Sequence, residues 1–155
     1  MKVELSLAVQ YATPAPDLPR WRLRRWVTRA LEAALEDDMP AAAKVAYNLR
    51  IVGRREGRRL NNDFRTRDYA TNVLTFEYGA DPSGLTHSDI VICLPVLKEE
   101  ARAQKKTLLD HAAHLTVHGS LHALGYDHVR ARDARRMEAL ETRVLATMGI
   151  PDPYC

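Results

Sequence analysis

Cysteine is scarce in this chain of 155 residues. The two present, Cys93 and Cys155, are far apart, so a thiolate zinc site built on closely spaced cysteines is excluded. Cys93, within Ile90-Val-Ile-Cys93-Leu94, reads as a small buried hydrophobe, and Cys155 as an exposed last residue. Long hydrophobic runs are missing too: none approaches the roughly 18 to 20 residues needed to span a bilayer. The first residues alternate apolar and polar and carry Glu4, a strand pattern rather than the apolar stretch of a signal peptide. A cytoplasmic protein with no membrane association is expected. Internal repeats and low-complexity segments are absent. There is little net charge, +3, which permits nucleic-acid binding without demonstrating it.

What is there suits one domain, residues 1–155, with one core: 46% of residues are hydrophobic and 28% charged. Alternation predicts strands at Lys2–Gln10, Lys44–Gly53, Val73–Gly79 and Ser88–Leu94. Three prolines make Ala12–Pro19 a loop. A helix is expected from Leu18 to Asp37, capped by Asp17, with Leu23, Trp26, Val27, Ala30, Leu31, Ala34 and Leu35 as its apolar stripe. Trp21 and Trp26 read as packing residues rather than base-stacking platforms. Arg54–Arg65 is a short polar helix or a turn, and Ala80–His87 a flexible connection. Pro95 opens a helix to about Lys106. Asp110 is expected to cap a helix over His111–Leu124, and a last helix runs from Arg130 to Met148. The expectation is an α+β fold: about four strands in a mixed sheet covered by about five helices, with a metal site at the end of a core helix.

Basic residues gather at Arg20, Arg22, Arg24, Arg25 and Arg29, at Arg54, Arg55, Arg58, Arg59, Arg65 and Arg67, and at Arg102, Lys105 and Lys106. Each group alone reads as a solvated helix face.

The chemistry concentrates in His118-Gly-Ser-Leu-His122-Ala-Leu-Gly125-Tyr-Asp-His128, which holds three of the six histidines. His118 and His122 share one helix face a turn apart and can reach one metal ion. Gly125 suits the left-handed conformation that ends a helix, letting the chain return His128 as a third ligand. Three imidazoles leave a tetrahedral zinc one open position, where a water can lose its proton near neutral pH. His114, His118 and His122 cannot all bind one ion: at about 1.5 Å rise per residue the outer pair stand about 12 Å apart, against zinc–nitrogen bonds of about 2 Å. His114 is therefore expected behind the ligands or in packing, and His111 on the surface. Asp127 either orients a ligand imidazole or shapes the turn. The spacing also resembles the metzincin protease signature, but position 119 is Gly where that signature has its glutamate base. Loss of such a base typically removes about 10²–10⁴-fold of rate, which weighs against amide hydrolysis.

The same segment resembles the signature of the YbeY family, bacterial zinc-dependent endoribonucleases of ribosomal RNA maturation. Two further blocks agree in order and spacing. One is Leu60-Asn61-x-x-Phe64-Arg65-x-Arg67-Asp68-x-x-Thr71-Asn72-Val73-Leu74-Thr75-Phe76, and the other is Asp89-Ile-Val-Ile-Cys93. The resemblance implies zinc on His118, His122 and His128 and a role for Arg65 in RNA cleavage, where a guanidinium can fork onto a scissile phosphate. Without that role, Arg65 would pair with Asp68 or another acid to fix the loop. The expected substrate is single-stranded RNA in ribosomal RNA precursors, with ribosomal subunit proteins as further partners. The competing readings are a non-catalytic, zinc-stabilised ribosome-assembly factor and a metallopeptidase-like hydrolase. The chain departs from the family pattern at Phe64, where Tyr is usual, at Ala70, where Pro is usual, and at Ser88, where Gly is usual and a special backbone angle would be lost.

Overall fold

The computed structural model describes residues 4–37, 44–126 and 129–154. Among them the chain forms β1 (Glu4–Tyr11), α1 (Arg20–Glu36), β2 (Lys44–Val52), α2 (Arg54–Arg65), β3 (Val73–Ala80), β4 (Thr86–Cys93), α3 (Leu94–Ala103), α4 (Leu108–His122) and α5 (Ala131–Ala146). The four strands lie in the order β1-β2-β4-β3. β1 and β4 run parallel to β2, and β3 runs antiparallel to β4. The expected α+β architecture with a mixed sheet is observed.

Each face of the sheet has its own cover. Val45, Tyr47, Leu49 and Ile51 of β2 and Ile90 and Ile92 of β4 point, by the two-residue period of a strand, into the main core. There they meet Leu23, Trp26, Val27, Ala30 and Leu31 of α1, Val117 and Leu121 of α4, and Met137, Leu140 and Val144 of α5. The opposite face carries a smaller cluster of Val52, Leu74, Val91, Cys93 and Val96, with Leu60 of α2, Ala70 and Phe76 packed against it. Cys93 is buried, as expected; Cys155 lies outside the described residues. Trp26 is core, but Trp21 is 60% exposed under the Arg22 guanidinium, so its expected packing role is not observed. No helix among the described residues is long and apolar enough to cross a membrane.

Several local details differ from the sequence reading. Helix α1 starts at Arg20 behind Pro19, with no side-chain cap, and Asp17 serves only through its carbonyl, which accepts from Arg22. The segment between β3 and β4, expected to be flexible, is a built turn. The Asp81 carboxylate accepts from the backbone N–H groups of Ser83 and Leu85 and from the Ser83 hydroxyl, Asp81 N donates to Leu85 O, and Gly84 takes a φ of 86°. Helix α4 begins three residues before the expected position. Thr107 is its cap, accepting from the N–H of Asp110 at 3.1 Å, which places Asp110 in the first turn, where an acid favours the helix dipole.

Candidate metal centre

Helix α4 is the buried spine of the site. Nine of its residues, from His111 to Leu121, are buried, and Gly119 allows the close approach. A β-carbon at Gly119 would stand 3.1 Å from Ile90 Cγ2 and 3.4 Å from Val73 Cγ2. The sheet side of α4 is thus consumed in packing, and its histidines emerge elsewhere on the cylinder.

The ring centroids of His114 and His118 are 6.3 Å apart, and those of His118 and His122 6.2 Å, as expected for neighbours one turn apart on a single helix face. His118 and His122 each engage a protein acceptor through Nδ1. For His118 it is the Glu141 carboxylate, 3.3 Å from each oxygen; for His122 it is the carbonyl of Tyr126 at 2.9 Å. An acceptor at Nδ1 places the proton there and the lone pair on Nε2. This is how ligating histidines are commonly held, with the second ring nitrogen donating to a carboxylate or carbonyl. The donor set therefore fits a transition-metal ion. Glu77 Oε1 lies 3.9 Å from His122 Nδ1, bringing a β3 carboxylate to the rim.

The turn after α4 takes the expected form. Gly125 has a φ of 106°, its N–H donates to His122 O, and the Tyr126 N–H returns to Leu121 O. Tyr126 is buried, and its hydroxyl donates to Asp37 Oδ2 at 2.6 Å, anchoring the turn to the end of α1. Burial, and then the bond to Asp37, pushes that phenol above its ordinary value. His128 and Asp127, the expected third ligand and its neighbour, lie outside the described residues.

Behind the histidines stands a residue that the sequence reading passed over. Glu141 of α5 is fully buried and accepts from His114 Nε2 at 2.8 Å, from His118 and from the Tyr154 hydroxyl at 2.7 Å. Burial acts to raise its carboxyl, but hydrogen bonds from His114, His118 and Tyr154 outweigh it and hold it at about 2. His114, His118 and Glu141 offer ligand atoms within 4.8 Å of one another, a group that could hold a metal ion. A signal was available: Glu141 interrupts the apolar stripe of Met137, Leu140 and Val144, and a lone acid on a core stripe needs partners. His111 was expected on the surface. It is buried instead, because the first turns of α4 pack on α3, and its Nε2 meets Glu100 at 2.9 Å.

Arg65 is the last residue of α2 and is exposed. Its guanidinium donates to the carbonyl of Thr75 at 2.6 Å and lies over the Phe76 ring. Asp68 is paired instead with Arg58, so the alternative in which Arg65 holds Asp68 does not apply. β3 links Arg65 to the histidines. Thr75, whose carbonyl Arg65 holds, has its Oγ1 3.8 Å from the Gly119 β-carbon position, and two residues on is Glu77, beside His122. Phe64 is 65% exposed and edge-on to Phe76, and Ser88 lies in β4 with a negative φ, beside a register shift between its partner Glu77 and Gly79, so no special backbone angle is needed there. Arg54, Arg55, Arg58 and Arg59 line a shallow basic groove on α2 with Asn62 and Asp68.

Residues 9–149 match the family described as Endoribonuclease YbeY. A protein of that name from Bordetella pertussis is 66% identical over 99% of this chain and 98% of its own length. Another, from Burkholderia mallei, is 51% identical over 97% of this chain and 80% of its own. A solution structure of a Thermotoga maritima protein superposes with a TM-score of 0.58 at 22% identity, covering 92% of this chain and 91% of that one, a likeness of fold.

Proposed function

Because the chain belongs to the YbeY endoribonuclease family, we propose that it cleaves single-stranded RNA, using one zinc ion held by His118, His122 and His128. We take residues 1–155 as one domain acting in the cytoplasm on ribosomal RNA precursors, in contact with ribosomal subunit proteins. The observation that carries this reading is the pair of imidazoles on α4, each with an acceptor at Nδ1 that presents Nε2 as a ligand.

When bound, the ion supplies Lewis-acid polarisation of a phosphoryl oxygen. The chain's own contribution is orientation and charge. Glu141 and the Tyr126 carbonyl hold the two rings, and Arg65 offers N–H donors to a non-bridging phosphate oxygen where charge accumulates. The Thr75 carbonyl and the Phe76 face keep that guanidinium at the β3 edge. The basic groove on α2 suits the flanking phosphates. Gly119 supplies no carboxylate base at the position where the protease signature has one, in keeping with phosphodiester rather than amide chemistry.

The test is single-turnover cleavage of end-labelled single-stranded ribosomal RNA by zinc-loaded protein and its Arg65→Ala and Arg65→Lys variants. Loss of one preorganised donor to a developing charge costs about 10²–10³ in rate. Arg65→Ala is expected to fall in that range, with Lys recovering part of it. An unchanged rate in both variants would remove Arg65 from the mechanism.

A further inference from the structure

We propose that Glu141 is a positioning residue for the metal centre: its buried carboxylate, braced by Tyr154 and His114, fixes the tautomer and orientation of His118 so that Nε2 faces the ion. This rests on the reading of His118 as a ligand given above.

Glu141 occupies a core position of α5, between Leu140 and Val144, where burying a carboxylate costs several kcal/mol unless it is paired and hydrogen-bonded. Its partners all come from the metal side. An ionised carboxylate only accepts, so His118 must donate from Nδ1, His114 from Nε2 and Tyr154 from its hydroxyl. The His118 lone pair is thereby confined to Nε2. The segment after α5 completes the brace. Tyr154 N donates to Asp152 Oδ1 at 2.8 Å, Lys106 Nζ donates to Pro153 O at 3.3 Å, and the Tyr154 ring stands edge-on to His114 with centroids 5.3 Å apart. A stretch remote in sequence from the histidine motif therefore sets the geometry of one of its ligands.

The alternative is that Glu141 itself binds the ion with His114 and His118. His114 Nε2 and Glu141 Oε1 are 2.8 Å apart, a hydrogen-bond length shorter than the roughly 3.3 Å between ligands on about 2 Å bonds around a tetrahedral ion, whereas His118 Nδ1 stands 3.3 Å from each Glu141 oxygen, so the variants below separate brace from ligand.

The experiment is a zinc titration of the full chain in competition with a chromophoric chelator, for the wild type and the Glu141→Gln, Tyr154→Phe, His118→Ala and His122→Ala variants. It is paired with imidazole ¹H–¹⁵N correlation spectra of the zinc-loaded wild type. Removal of such an outer partner typically weakens metal binding by about 10–100-fold. Glu141→Gln is expected in that range and Tyr154→Phe lower but measurable, with the His118 proton on Nδ1. Wild-type zinc affinity in both variants overturns the proposal, as does a His118 proton on Nε2. So does complete loss of zinc in Glu141→Gln with retention in His122→Ala, which would make Glu141 a ligand. If Glu141→Gln does not fold, Tyr154→Phe decides alone. Wild-type affinity in His118→Ala removes the premise and overturns the proposal. The titration uses no RNA, so a failure of RNA cleavage would sink the nuclease reading and leave this result standing.

Discussion

Gly119 of α4 lies so close to Ile90 of β4 that a β-carbon placed on it would stand 3.1 Å from Ile90 Cγ2. The residue that follows the first histidine of the motif is therefore a packing position. In the protease signature of similar spacing, this position carries the glutamate base, and here a side chain would press on Ile90 and Val73. Packing as well as chemistry thus weighs against a glutamate base at position 119.

The Gly119 contact makes a stability prediction. Gly119→Ala gains about 1 kcal/mol of helix propensity but forces Ile90 and Val73 to move, and overpacking typically costs about 1–3 kcal/mol. We expect a net loss of about 1 kcal/mol in urea unfolding. Gly119→Glu, which buries an unpaired carboxylate as well, should lose more than about 3 kcal/mol or fail to fold. A stable Gly119→Glu protein would show that α4 can lift from the sheet.

Ser88 offers a test on β4. It is 1% exposed, its hydroxyl finds no hydrogen-bond partner among the described residues, and its neighbours across the sheet are Tyr47 and Glu77. Removing an unsatisfied buried hydroxyl relieves a desolvation penalty of about 1–3 kcal/mol, less the packing lost. Ser88→Ala should therefore raise the thermal midpoint. Ser88→Gly, the residue usual in the family pattern, should fall below Ser88→Ala by about 0.5–1 kcal/mol, because glycine in a strand loses more backbone entropy. A lower midpoint for Ser88→Ala than for wild type would reveal a role for the hydroxyl.

Much of this was legible in the sequence because it is local. Alternation placed the four strands, the four-residue spacing placed His118 and His122 on one face, and Gly125 took the left-handed turn that its residue type suggests. What escaped is non-local. His111 looked exposed because nothing in its own helix announces that α3 will cover it, and Glu141 meets His114 across 27 residues and Tyr154 across 13. The start of α4 was misplaced because Asp110 looked like the cap, whereas the Asp110 N–H bonds back to the Thr107 hydroxyl and lies inside the first turn.

The Arg50–Glu56 pair carries a pH dependence. Arg50 donates to both Glu56 oxygens, at 2.5 and 3.0 Å, from β2 to the first turn of α2. The hydrogen bond from Arg50, opposed by burial and aided by the Arg50 and Arg59 charges, lowers the Glu56 carboxyl from its ordinary 4.5. A depressed folded-state value means the stabilisation is complete above about pH 4.5 to 5 and drains as pH falls through the folded-state value. Between pH 7 and pH 3 the wild type should therefore lose more stability in urea than Glu56→Gln. An equal loss in both would mean the pair is not formed in solution.

The central claim is that RNA cleavage occurs at a metal held by the α4 histidines. The most direct measurement compares protein of quantified metal content with the His118→Ala, His122→Ala double variant on labelled single-stranded ribosomal RNA, each with and without chelator. The account predicts cleavage by the metal-loaded wild type alone, abolished by chelation and restored by zinc. Intact RNA in the presence of protein carrying about one zinc per chain, the stoichiometry of a single filled site, would contradict it.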